Sequence, residues 1–167
     1  VLLPVYKGSY ERHVENAEGP NVWRDLAIQR TKDFFRSVDY LESRPDIDHD
    51  RVGFYGVSSG ASVAPRLLAL EKRIKVAVVI GGGLYPERLP PEADTLNFAP
   101  RVTIPFLMIN GKYDFDTPLN TCQIPLFPSG DFTQGQAPRS VRPRVTFQPA
   151  MTSSKRLSTG TTTTWAG

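Results

Sequence analysis

The stretch Ile-Lys-Val-Ala-Val-Val-Ile-Gly-Gly-Gly, residues 74–83, constrains the fold more than any other. An almost unbroken β-branched run predicts a strand buried on both faces, and such strands belong to parallel sheets covered by helices. The flanking sequence agrees. Between Val22 and Arg44, Trp23, Ala27, Arg30, Phe34, Val38 and Leu41 recur at steps of three and four, which predicts a helix. Asn21 is placed to cap it and Pro45 to end it. Arg51 to Gly56 reads as a short strand. Ala61 to Lys72 reads as a second helix, with Pro65 in its early turns, where a missing N–H costs least. A proline-rich stretch, 84–100, reads as a loop or cap, and Val102 to Gly111 as the next strand. Helix, strand, helix, strand, loop and strand alternate. This order predicts an α/β fold, a parallel sheet with helices on both faces and functional loops beyond the carboxyl ends of the strands.

At one of those ends lies Gly56-Val57-Ser58-Ser59-Gly60. The pattern is common by chance, so its context matters. A strand precedes it and a helix follows. Glycines at both flanks let strand and helix approach closely around a strained serine, whose oxygen then stands clear of the sheet. Such a serine is a candidate nucleophile, and the Ser59 N–H at the start of a helix can donate to an oxyanion. The plainer reading is a turn that only joins strand to helix. An acid is expected after a later strand. Asp114, in Lys-Tyr-Asp-Phe-Asp-Thr-Pro, is the candidate and Asp116 its near competitor; turn chemistry is the plainer reading for either, and Asp116 also reads as a helix cap before Pro118.

A serine nucleophile needs a base, and the chain has two histidines, His13 and His49, both ahead of Ser58. His49 sits in a polar turn at the amino end of the strand that leads to Ser58, away from the elbow. His13 precedes a helix and is within reach of a site rim, so it stays open as a base. One cysteine and two distant histidines make no zinc site, and the sequence calls for no cofactor.

Composition suits a globular domain, with 40% hydrophobic and 22% charged residues. The single cysteine, Cys122, excludes an internal disulfide. No apolar run is long enough for a signal peptide or a membrane span, and the reading is a cytoplasmic protein without a membrane partner. The chain starts at Val1 rather than Met, which reads as loss of an upstream part. The net charge of +3 belongs to its last quarter: Phe127 to Gly167 carries five basic residues and one acid, leaving 15 basic and 16 acidic residues before it. No aromatic residues interleave those charges as single-strand binders require, so the tail reads as solvated and no nucleic-acid partner is expected. Two regions follow, a domain over 1–126 and an irregular, basic, Ser/Thr-rich tail over 127–167.

Leu3 to Phe127 resembles the α/β-hydrolase domain related to dienelactone hydrolases and acyl-peptidases, in the version found C-terminal to some bacterial serine/threonine kinases. The likeness lies in "LPVYKGSYERH", "RDLAIQRTKDFFRSVDYLESRPDID", "RVGFYGVSSGA", "LEKRIKVAVVIGGGL", "NFAPRVTIPFLMINGKYDFDTPL" and "QIPLF". It implies Ser58 as nucleophile, Asp114 as triad acid and a carboxylic-ester or related acyl substrate. The family's earlier strands, oxyanion loop and Gly-His segment are not seen, so the core reads as incomplete at both ends. A shifted reading frame accounts for the last of these. Taking the last base of each codon with the first two of the next, Pro149-Ala150-Met151-Thr152 can conceal Gly-His-Asp, and Arg144 to Phe147 can conceal Arg-His and an aliphatic residue. Thr164-Trp165-Ala166 can likewise conceal Leu-Gly. The expectation is a serine hydrolase, impaired for lack of a downstream histidine. The alternatives are a noncatalytic binding module of the same fold and, less well supported, a tail-driven nucleic-acid binder.

Overall fold

The computed structural model describes residues 1–14, 19–85, 89–126, 131–133 and 144–148. Helix α1 spans Val22–Glu42, strand β1 Gly53–Val57, helix α2 Ser59–Leu70, β2 Val76–Ile80 and β3 Phe106–Gly111. Two short strands follow, β4 (Asp131–Thr133) and β5 (Arg144–Gln148). All five strands are parallel, in the order β1-β2-β3-β5-β4. The fold is α/β around a parallel sheet, and every carboxyl end lies along one edge.

Alternation along the strands sets the core. Phe54, Gly56, Ala77, Val79, Phe106 and Met108 fall on one face of the sheet by register. That face packs on Phe34 and Val38 of α1 and on Ala61, Ala64, Leu67 and Leu68 of α2. The Phe34 and Phe54 rings meet edge to face at 5.7 Å. The expected helices on both faces are not found among the described residues: α1 and α2 share this face. On the other, Tyr55, Val57 and Val76 are exposed, so β2 is fully buried on one side only, through Ala77 and Val79.

The predicted elements shift for local reasons. β3 starts at Phe106, not Val102, because residues 99–101 form a 3-10 turn and Pro105 lacks the N–H a ladder needs. The Pro105 carbonyl still accepts from Ala77 N at 3.0 Å. Helix α2 starts two residues before the predicted Ala61, which puts Pro65 beyond the first turn, as the one proline inside the helix. Asn21 occupies the N-cap position of α1 without making a side-chain capping bond. Asp116 caps nothing, since Pro118 is the N-cap of the π-helical turn Leu119–Gln123. Strands β4 and β5 lie where the sequence predicts an irregular tail. In β5, Val145, Thr146 and Phe147 supply three consecutive residues of high strand propensity beside β3. The remainder of that tail falls outside the described residues.

An ion cluster ties the carboxyl end of α1 to the turn after α2. Arg73 Nη1 reaches Asp39 at 2.9 Å and Glu42 at 2.6 Å, and Arg73 Nη2 reaches Glu71 at 2.6 Å. Glu71 is buried, and its hydrogen bonds to Arg73 hold its carboxyl below the usual 4.5. A carboxylate with a depressed folded pKa stabilises above its unfolded pKa, and that stability fades as pH falls through the folded value. Arg73→Gln is therefore expected to lower the melting temperature at pH 7, with the gap to the parent narrowing as pH drops below 4.5 in thermal melts.

Candidate active site

Ser58 joins β1 directly to α2, with φ 53° and ψ −118°. Left-handed φ is uncommon for a residue with a side chain and marks a strained, over-determined turn. Three backbone bonds hold it. Ser58 N donates to Ile80 O of β2 at 2.9 Å, while Ser58 O accepts from Ala61 N at 2.9 Å and Ser62 N at 3.0 Å. The side chain is exposed at the carboxyl edge of the sheet. Ser59 opens α2, so its N–H has no acceptor within the helix and points along the positive end of the helix dipole.

The two flanking glycines are not equivalent. A Cβ on Gly56 would stand 2.8 Å from Gly60 O and 2.9 Å from Gly60 C, whereas one on Gly60 would meet nothing within 4 Å. Gly56 is the position where the crossing of strand and helix excludes a side chain. Gly82 is similarly tight, because its Cβ would run into Ala61 at the start of α2. Gly56→Ala is expected to destabilise by about 1–3 kcal/mol through overpacking. Gly60→Ala is expected to be neutral or to stabilise by about 0.4–1 kcal/mol, since it only reduces the freedom of the unfolded chain. Urea unfolding of the two variants checks the contrast.

Asp114 follows β3 at the same edge, two strands from Ser58, with β2 between them rather than on a directly neighbouring strand. Its Oδ1 accepts from Asp116 N and Thr117 N, both at 3.0 Å, so the turn itself fixes the carboxylate. Oδ2 makes no bond among the described residues. Two residues not singled out in the sequence hold this edge together. Asn110 Nδ2 donates to Gly82 O at 2.5 Å and its Oδ1 accepts from Gly82 N at 3.3 Å, locking the ends of β2 and β3. Gln123, fully buried, donates through Nε2 to Thr117 O at 2.6 Å beneath the Asp114 turn. An amide ending the apolar strand Phe-Leu-Met-Ile-Asn was the available signal for Asn110; Gln123 had none.

His13 closes the 3-10 turn Tyr10–Arg12 and is exposed. The loop before it does reach the elbow: Tyr6 and Ser9 line a cavity of about 120 Å³ with Ser59 and Gly60, but His13 does not. His49 lies at the amino end of β1, its Nε2 3.1 Å from Arg44 O. Among the described residues no group of three or more His, Cys, Asp or Glu is placed to hold a metal ion, and no helix is long and apolar enough to cross a membrane.

Residues 32–112, from within α1 through β3, match the family described as BAAT / Acyl-CoA thioester hydrolase C terminal. An uncharacterized protein of Pseudomonas aeruginosa is 27% identical over 75 residues, 45% of this chain and 18% of its own length. An esterase described as cold-adapted, from an Arctic intertidal metagenomic library, superposes with a TM-score of 0.59 at 20% identity, covering 87% of this chain and 58% of the esterase. The Pyrococcus horikoshii acylaminoacyl peptidase gives 0.56 at 14% identity, covering 77% of this chain and 24% of the peptidase. The fold is that of the α/β-hydrolases. Within that class the chain is similar to acyl-peptidase-like esterase domains. The chain spans about a fifth of the curated relative it matches.

Proposed function

We propose that this chain is a serine hydrolase domain for carboxylic esters or related acyl substrates. The observation that carries the reading is Ser58: a non-glycine residue at φ 53°, at a strand-to-helix turn, on the sheet edge that also bears Asp114. In this mechanism Ser58 Oγ attacks the substrate carbonyl and the Ser59 N–H helps bind the resulting oxyanion. An imidazole takes the serine proton and returns it to the leaving group, and Asp114 Oδ2 accepts from that imidazole and stabilises its charged form.

The sequence contains no histidine after Asp114. Ser58 as it stands here is a weak nucleophile, because its proton lacks an acceptor of suitable pKa, and the chain is impaired. In the alternative frame of the tail, the codon spanning Ala150 and Met151 can encode the histidine that would serve as that acceptor. The test is covalent labelling with a fluorophosphonate, located by mass spectrometry, together with turnover of short p-nitrophenyl esters. Slow labelling at Ser58, lost in Ser58→Ala, is expected, with turnover far below that of a typical enzyme. Absence of labelling under prolonged exposure would favour a noncatalytic binding module.

A further inference from the structure

The helix that starts at Ser59 carries one charged residue within an apolar run, Val63-Ala64-Pro65-Arg66-Leu67-Leu68. Arg66 is 4% exposed. Its Nε donates to Thr31 Oγ1 at 3.3 Å and its Nη1 to Ala93 O at 2.8 Å. Both partners are neutral, and no carboxylate pairs with Arg66 among the described residues. A second guanidinium, Arg30, faces the same space, its Nε donating to Lys7 O at 3.0 Å. Burial and the neighbouring Arg30 charge both lower the pKa of Arg66, with burial the larger cause and Tyr85 acting in the opposite sense. A buried cation bonded only to neutral groups among the described residues is costly, and an incoming anion offsets that cost.

The surroundings define what kind of anion fits. The two guanidiniums border a cavity of about 260 Å³ whose other walls are mainly apolar, including Trp23, Leu26, Val63 and Leu89. The smaller cavity beside Ser59 and Gly60 shares Arg30, Val63, Arg66 and Tyr85 with it, so the two cavities adjoin at the guanidiniums. Arg66 lies eight residues beyond Ser58, about 12 Å along a helix, and helical side chains lean back toward the N-terminus. A short chain bridges what is left.

We propose that Arg66 and Arg30 form a subsite for a carboxylate at the far end of a short aliphatic acyl chain, so that the preferred ligand is a monoester of a linear dicarboxylic acid. The planar guanidinium of Arg66 has Nη2 to offer a carboxylate oxygen, while the apolar walls take the methylenes. This rests on the serine-hydrolase reading only for the placement of the ester carbonyl at Ser58; the anion site itself stands on Arg66 and Arg30.

Isothermal titration of the full chain with monomethyl adipate, dimethyl adipate and inorganic phosphate tests it. The monoester is expected to bind at least tenfold more tightly than either of the others. Arg66→Met is expected to weaken monoester binding tenfold or more, leaving the diester unchanged. Arg30→Met, at the more accessible guanidinium, is expected to weaken it severalfold and decides the matter if Arg66→Met does not fold. No measurable monoester binding, equal affinity for the diester or phosphate, or unchanged binding in a folded variant at Arg66 would overturn the proposal. Fluorophosphonate labelling is read separately. Arg66-dependent monoester binding without labelling of Ser58 leaves the subsite standing and removes the hydrolase reading; labelling without such binding does the reverse.

Discussion

Translating residues 127–167 in the alternative frame, with the upstream oxyanion strands of the resembling family restored, is expected to raise turnover of p-nitrophenyl esters by at least roughly several hundredfold over the present chain, since a missing triad base typically costs more than that. β5 runs parallel to β3 with Gln148 opposite Gly111, the residue where the Asp114 turn begins. The codon spanning Ala150 and Met151, which can encode histidine in the other frame, comes two to three residues after Gln148. Ser58→Ala in the reframed protein should remove the gain. If the present chain already turns over esters at a typical enzyme rate, the base comes from elsewhere, and His13→Ala becomes the informative variant.

The sheet was legible because its signals are local. The run Val76–Ile80 announced a strand by composition alone, and the serine turn by its flanking small residues. What escaped was tertiary. Whether helices cover one face or two depends on which strand face each helix finds, and the periods of α1 and α2 look the same in either case. The sequence pattern treated Gly56 and Gly60 alike. Only the crossing of β1 and α2 distinguishes them, because Gly56 abuts backbone and Gly60 faces open space. Arg66 was hidden by its own helix: a single charge at that period reads as an exposed position until α1 and the loop at Ala93 close over it. β5 was missed because its three strand-forming residues stand in a segment otherwise rich in Ser, Thr and Pro, and its pairing with β3 and β4 is not written in that composition. The sequence singled out Ser58 and Asp114 as candidates without saying how far apart they lie. Strand order puts β2 between them, a fact about pairing that spacing along the chain does not carry.

The carboxylate at Asp114 is expected to be worth about 10⁴ in kcat once a base is present, on the precedent of triads whose acid becomes an amide. Asp114→Asn is the informative change because it preserves the turn. The side-chain carbonyl of an asparagine can still accept from Asp116 N and Thr117 N, the two bonds that fix the Asp114 side chain. What it cannot reproduce is Oδ2. An NH2 group there donates where an acceptor is needed, so the imidazole is held in the tautomer that presents N–H, not a lone pair, to Ser58. The charged imidazole formed during attack also loses its stabilising partner. In the reframed protein, Asp114→Asn should therefore keep the parent melting temperature and lower kcat by about four orders of magnitude, with much less change in KM. Asp116→Asn, at an exposed side chain that caps no helix, should leave kcat within a few fold. Equal, small effects from both substitutions would remove Asp114 from the triad. A large loss at Asp116 alone would transfer the role to that residue, two positions further along the same loop.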